Sequence, residues 1–325
     1  MNRSSIFAAA FCLAALGLAG SPASAALSAR AFVSGLGADA AGCGSNLQPC
    51  RTFQFVVSNV IAPGGEIDVL NTAGYGPVVI TQSLSIVNDN GATAGVGAAA
   101  GADSITINAG AGDKIFLKGL TVDGYGVGAN GVTFNSGAGL SIDNCIFENF
   151  PSKGDIFTGN GVRISPRAGS MTFAITNSIV VNNGASGIIY APPAGSTAVT
   201  NGIIDRVTAN HDFNGLYIFS TNSTGVTNVA ISNSVVANNE NIGITVANGS
   251  AGLEVSIDAT HVSGSGIGII GGGAPQILIR RSVVTGNTTG IVNSNSPSSF
   301  FSYGDNSIDG NGTNVQLALN PVSLR

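Results

Sequence analysis

The chain has very little charge, no tryptophan and few aromatic residues of any kind. Only 9% of its 325 residues are Asp, Glu, Lys or Arg, against ~25% in ordinary soluble domains. The 12 basic and 17 acidic residues leave a net charge of −5. Lys and Arg form no run, which argues against nucleic acid as a partner. Aromatics make up 6%, so any platform for stacking against sugar rings is sparse. Past the N-terminus no apolar stretch is long enough to read as a membrane helix. Yet hydrophobic residues reach 44%, which excludes a disordered chain. Glycine is the surplus, with 47 residues, about twice the usual ~7%. A filled interior, many tight turns and little need for charge describe a solenoid.

The first 25 residues read as an export signal: Arg3, the apolar run Ile6 to Leu18, and the small-residue site Ala23-Ser-Ala25. The mature protein is expected in the periplasm or outside the cell, with no membrane span. Cys43 and Cys50 flank a loop in such an exported segment, so a disulfide is expected between them. Cys145 reads as a small, inert core residue.

The second half carries a degenerate repeat. Ile231-Ser-Asn233-Ser234-Val-Val236-Ala-Asn238 followed by Gly243-Ile-Thr-Val246 echoes Ile203-Ile-Asp205-Arg206-Val-Thr208-Ala-Asn210 followed by Gly215-Leu-Tyr-Ile218. The apparent offset is 28 residues, and related copies recur at 22 to 33. Short β-type runs broken by Asn and Gly at such a period signal stacked coils. The spacing aligns a turn column of Asn144, Asn177, Asp205, Asn233 and Asn306, since Asn tolerates left-handed backbone. Upstream, Phe53, Val56, Val57 and Val60 have helical spacing behind a candidate N-cap, Thr52, with Pro63-Gly-Gly expected to end the helix.

Glu66-Ile-Asp-Val-Leu70, the Gly74-Tyr-Gly-Pro77 turn, Val78-Val-Ile80 and Ser83-Leu-Ser-Ile-Val87 follow that helix. Residues 53–87 resemble the opening of proteins of the pectate-lyase-like superfamily. The resemblance implies an all-β chain: a single-stranded, right-handed parallel β-helix with a short N-terminal capping helix. Residues 1–25 are then the signal peptide, 26–65 the lead-in loop and capping helix, and 66–325 the β-helix. The fold hosts lyases, hydrolases, esterases, epimerases and non-enzymes, so it leaves activity open. Paired-Asp runs, a Trp-x-Asp-His motif and the Gln and Asp strand motifs of pectin methylesterases are all missing.

Candidate site residues come from the stacked repeats. Asp212 and Glu240 fall one rung apart at the 28-residue offset. Two acids held so close serve a cation such as Ca²⁺, serve catalysis, or splay into water as turn residues. His211 beside them is a candidate general base. Arg163 and Tyr217 take outward places about two rungs apart. Arg163 could neutralise a uronate carboxylate, with Arg167, Tyr190 and Phe219 as further sugar contacts. His261 and the Asp123–Glu148 pair read as surface features. Arg206 is expected to escape to the turn surface and pair with Asp205, because a buried unpaired charge is costly. Two functions fit. One is a non-catalytic exported rod that binds a polysaccharide or cell-surface glycan, with no cofactor. The other is a polysaccharide lyase or glycoside hydrolase working in a groove on the outer face.

Overall fold

The computed structural model describes residues 27–221, 223–248, 252–294 and 300–323. The signal-peptide expectation, and with it all of residues 1–26, lies outside them. Nearly every described element is a short strand, and every strand pairing is parallel to the equivalent strand of the next coil. Three sheets result, with 12, 10 and 10 strands. One coil shows the plan: Val199–Asp205 in the first sheet, Thr208–Asn210 in the second, Asn214–Phe219 in the third. Residues facing the axis form one continuous core, including Ile204, Ala209, Leu216 and Ile218 at 0% exposure. The all-β parallel solenoid expected from the repeats is therefore what forms. Among the described residues no helix is long and apolar enough to cross a membrane.

Strand register corrects the repeat alignment. Ile204 pairs with Ile231 and Thr208 with Val235, an offset of 27. Leu216 pairs with Ile244, an offset of 28. One extra residue enters between the second and third strands, within 238–241 as against 211–213. The left-handed turn column is accordingly Asn144, Asn177, Arg206, Asn233, Ala259 and Arg281, with φ between 46° and 53°. Arg206, not Asp205, takes the turn position. Its Nε donates to Asn177 Oδ1 at 2.7 Å and it pairs with Asp205. Asn306 instead lies one place further along, where its Oδ1 accepts from the Ser282 N–H at 2.9 Å.

That neighbouring position is an inner column of small polar residues. The Cys145 N–H donates to Ser178 Oγ, Val207 N–H to Ser234 Oγ, and Thr260 N–H to Ser282 Oγ. Each corner buries a backbone donor that the sheets do not use, and the next rung supplies the acceptor. Cys145 is buried and free, and burial pushes its thiol up to about 12. It is an inert packing residue.

At the N-terminus, Ser28–Val33 pairs with Ile61–Val69, so the lead-in segment already belongs to the first sheet. A disulfide joins Cys43 and Cys50. The helix spans Phe53–Asn59, and Thr52 Oγ1 accepts from the Phe55 N–H at 3.2 Å. The helix stops before Pro63-Gly-Gly. Those residues sit inside strand Ile61–Val69, where the pairing slips between Ser28 and Arg30. This helix of about two turns buries Phe53 and Val56.

A second inner column lies at the corner before the third sheet. Asn287 Oδ1 accepts from the Ser265 N–H at 2.9 Å while its Nδ2 donates to the Val262 carbonyl at 3.2 Å. Asn287→Ala strands both partners in the core, at an expected cost of about 2–4 kcal/mol. Hydrogen exchange checks this: the Ser265 amide should lose protection while coils before Ile231 keep theirs.

Candidate functional site

The outer face of the third sheet is where the structure gathers most of the outward candidates. Alternation puts Val162, Ile164, Ile188, Leu216 and Ile218 inside, all at 0% exposure. Their neighbours face out. Register then stacks Thr133, Arg163, Ile189, Tyr217 and Thr245 in one file. Arg163 and Tyr217 are two rungs apart, or ~9–10 Å, with Ile189 between them.

This file is unusually sheltered for a solvent-facing one. Thr133 is 3% exposed, Ile189 0% and Thr245 6%. Loop lengths account for it. The connection before the third sheet has eleven residues at 149–159, against four at 182–185 and three at 211–213. The connections leaving that sheet are long at 191–198 and 220–226. Long loops thus flank the middle rungs, and the one before the third sheet lays Phe157 against Arg163.

On this face Tyr217 and Phe219 project side by side, with ring centroids 5.9 Å apart. Burial raises the Tyr217 phenol above its ordinary pKa. The Arg163 guanidinium lies 5.4 Å from the Phe157 ring centre, and its Nε has no hydrogen-bond partner. Burial lowers the Arg163 pKa, with the charges of Asp103 and Asp155 acting against that. A half-buried cation with an unused donor sits beside a short aromatic strip. Arg167 is exposed in the loop that leaves the Arg163 strand.

Tyr190 does not join this strip. It is 0% exposed, stacks on Phe173 with centroids 6.2 Å apart, and its hydroxyl meets the Thr200 and Thr227 hydroxyls. It pairs in register with Ile164 and Ile218, both core positions. Its expected role in sugar contact is therefore corrected to one in packing.

The acidic pair also comes apart. Asp212 is in register with Asn239, because the extra residue of the next coil displaces Glu240. Its carboxyl turns inward into the second polar column. Asn183 N and Nδ2 both donate to Asp212 Oδ1 at 2.9 Å, and the Asp212 N–H donates to Asn239 Oδ1 at 3.0 Å. Asp212 is 1% exposed, and Oδ2 is sealed without a partner. Glu240 and His211 are exposed. All three border one open depression of about 440 Å³, along with Asn182 and Asn238. A Ca²⁺ site at Asp212 and Glu240 does not fit. One Asp212 oxygen is committed to Asn183 and the other is closed off. Among the described residues no three His, Cys, Asp or Glu side chains come together to hold a metal.

The remaining charged pairs are ordinary. Asp123 and Glu148 are rung neighbours, and burial followed by the Asp123 charge raises the Glu148 pKa. Asp258 pairs with both Arg280 and Arg281. His261 is exposed opposite Val235. Phe157, Ile156 and Phe213 also border these surfaces and were not singled out in the sequence. For Ile156 and Phe157 the signal was the long gap between Asn144 and Asn177, 33 residues, against 29, 27, 26 and 22 between the later turn positions Asn177, Arg206, Asn233, Ala259 and Arg281.

No family model matches the chain, and no curated protein matches it in sequence. Solved structures do match. Pectate lyase Pel9A superposes with a TM-score of 0.50 at 15% identity, over 91% of this chain and 78% of that one. The protein has a parallel β-helix fold. The mannuronan C-5 epimerase AlgE4 A-module of Azotobacter vinelandii gives 0.40 at 11% identity, over 81% and 91% of the two chains. A rhamnogalacturonan lyase gives 0.39 at 12%, over 84% and 73%. At these identities the likeness establishes the fold alone.

Burial raises the Asp212 pKa to about 7, against the bonds from Asn183. A carboxyl whose folded pKa lies above its unfolded value near 3.8 stabilises the fold fully below about pH 4. That contribution drains away as pH rises through about 7, and is worth up to about 4 kcal/mol. Asp212→Asn supplies a neutral side chain that suits the column. Its thermal midpoint should exceed the wild type's at pH 8 and show little of the wild-type decline between about pH 4 and 7.

Proposed function

We propose that this protein is an exported rod that holds an acidic polysaccharide along the groove over its third sheet and does not cleave it. The observation that carries the reading is the strip of Phe157, Arg163, Tyr217 and Phe219, with Arg163 and Tyr217 on either side of the buried Ile189. Arg163 offers a carboxylate partner, and Tyr217 with Phe219 offers ring faces to a sugar. Parallel rungs at a fixed rise suit a chain that repeats along one direction. The fold shared with a pectate lyase is consistent with a glycan ligand. The Cys43–Cys50 disulfide is consistent with an oxidising compartment, periplasmic or extracellular.

Two features favour binding over turnover. Cleavage by elimination or hydrolysis needs a titratable group within reach of the substrate. Asp212, the carboxyl raised to about 7, is sealed in the inner column. Within their file Arg163 and Tyr217 have Thr133, Ile189 and Thr245 as neighbours, and the acids that act on the Arg163 charge, Asp103 and Asp155, lie outside the file in the loops before the third sheet.

Titration calorimetry with oligogalacturonates tests the reading, with reducing ends and unsaturated-uronate absorbance followed in parallel. Binding without product is expected, and unchanged by Ca²⁺. Arg163→Ala and Tyr217→Ala should each weaken it about tenfold. Product formation would establish a polysaccharide lyase or glycoside hydrolase instead. No binding to any acidic glycan would overturn the proposal.

A further inference from the structure

We propose that the outer face of the first sheet, near its C-terminal end, binds a neutral oligosaccharide with equatorial hydroxyls, such as an oligomer of β-linked glucose. Three consecutive rungs build the place: Leu253–Asp258, Gln276–Arg280 and Phe300–Ser302. Register puts Glu254 beside Gln276, Ser256 beside Leu278 and Leu278 beside Phe301. An open depression of about 340 Å³ lies over them, bordered also by Tyr303 and Val322. Two rung spacings give it a span of ~10 Å.

Strand parity explains why rings appear here. Ile277, Ile279 and Phe300 fill the core at 0% exposure, so Leu278, Phe301 and Tyr303 turn outward. Upstream the same file holds Ser141, Ala174, Ile203, Ala230 and Ser256, and none of these offers a ring face. Small Ser256 against the bulk of Leu278 and Phe301 leaves the hollow. The Tyr303 ring is held in place. The Arg280 guanidinium lies 5.7 Å from its centre, and Arg280 in turn pairs with Asp258 at 3.4 Å. In a chain with 6% aromatics, two outward rings two residues apart form a platform.

Polar groups line the opposite edge. Glu254 and Gln276 are exposed, and among the described residues neither side chain has a hydrogen-bond or ion-pair partner. They continue a file whose earlier members bond to each other, the Asn228 amide donating to Asn201 Oδ1 at 3.0 Å. A carboxylate and an amide beside ring faces match the two surfaces of a pyranose. Its C–H face packs on Phe301 and Tyr303, and its equatorial hydroxyls donate to Glu254 and Gln276. The charges favour a neutral sugar. Arg280 and Arg281 are both taken by Asp258, and Asp305 accepts from the Arg281 N–H. Glu254 keeps an unpaired charge, which repels a uronate. A second copy of the chain is a poorer occupant. A stable dimer buries about 800 Å² per partner, and here it would bury Glu254 unpaired. The lining shares no residue with the Arg163–Tyr217 file, and the acids that act on Arg163 are Asp103 and Asp155. The proposal is independent of the acidic-glycan reading.

The test is calorimetric titration of the folded protein with cellohexaose, repeated in the presence of excess oligogalacturonate. Cellohexaose should bind, and the oligogalacturonate should not displace it. Phe301→Ala and Tyr303→Ala should each weaken binding about tenfold, and Gln276→Ala about threefold. Gln276 is exposed, so its variant still reports if loss of a ring disturbs the last coils, and a thermal melt checks each fold. No binding of cellohexaose, displacement by oligogalacturonate, or binding lost in Tyr217→Ala but kept in Phe301→Ala would each overturn the proposal. So would dimerisation in sedimentation that Phe301→Ala abolishes, which would give the face to a second copy. Oligogalacturonate binding is read separately at the third sheet, so failure of one site leaves the other measurable.

Discussion

Everything in this molecule depends on keeping the corner backbone satisfied. A solenoid bends its chain three times per coil, and at each tight bend some N–H groups point into a dry interior. Sheet hydrogen bonds reach only the straight segments. The two inner columns supply the rest: hydroxyls of Ser178, Ser234 and Ser282 at one corner, and side-chain carbonyls of Asn183, Asn239 and Asn287 at another. Each side chain serves the rung beside it, so no coil is complete alone. Desolvating an unpaired amide costs about 1–3 kcal/mol, which makes these columns as restrictive as the hydrophobic core.

The same constraint determines which polar residues are free for other work. Asp212 sits where its neighbours are Asn183 and Asn239, and it makes the same acceptor bonds. It is drawn into the structure, and Glu240 and His211 are left on the surface. Along the third sheet the corners impose no such demand on Arg163, Tyr217 or Phe219. Those side chains face outward beside loops of irregular length, a common origin of binding surfaces on rigid scaffolds.

Architecture was legible in the sequence because it repeats. The Asn and Gly punctuation, the alternating apolar residues, the Thr52 cap and the Cys43–Cys50 pair each carry a local physical signal. Register was less legible. A slip of one residue is invisible when Ser, Asn, Asp and Thr all suit a turn, and the 28-residue offset concealed a 27-residue pairing over two of three strands. That single residue moved Arg206 into the turn column and separated Asp212 from Glu240. Tyr190 was misplaced for another reason: an aromatic beside a loop reads as exposed until the parity of its strand is known. The loop that carries Phe157 left only one trace in the sequence, an over-long interval between two asparagines.

The eleven-residue loop at 149–159 leaves the pairings on either side undisturbed, since Glu148 meets Val181 and Asn160 meets Asn130 in ordinary register. Strands fix the coil, and the corner merely has to return the chain to the next one. Such corners act as interchangeable fittings on a rail. A lineage could exchange one fitting, and with it the ligand, without renegotiating the packing of any strand.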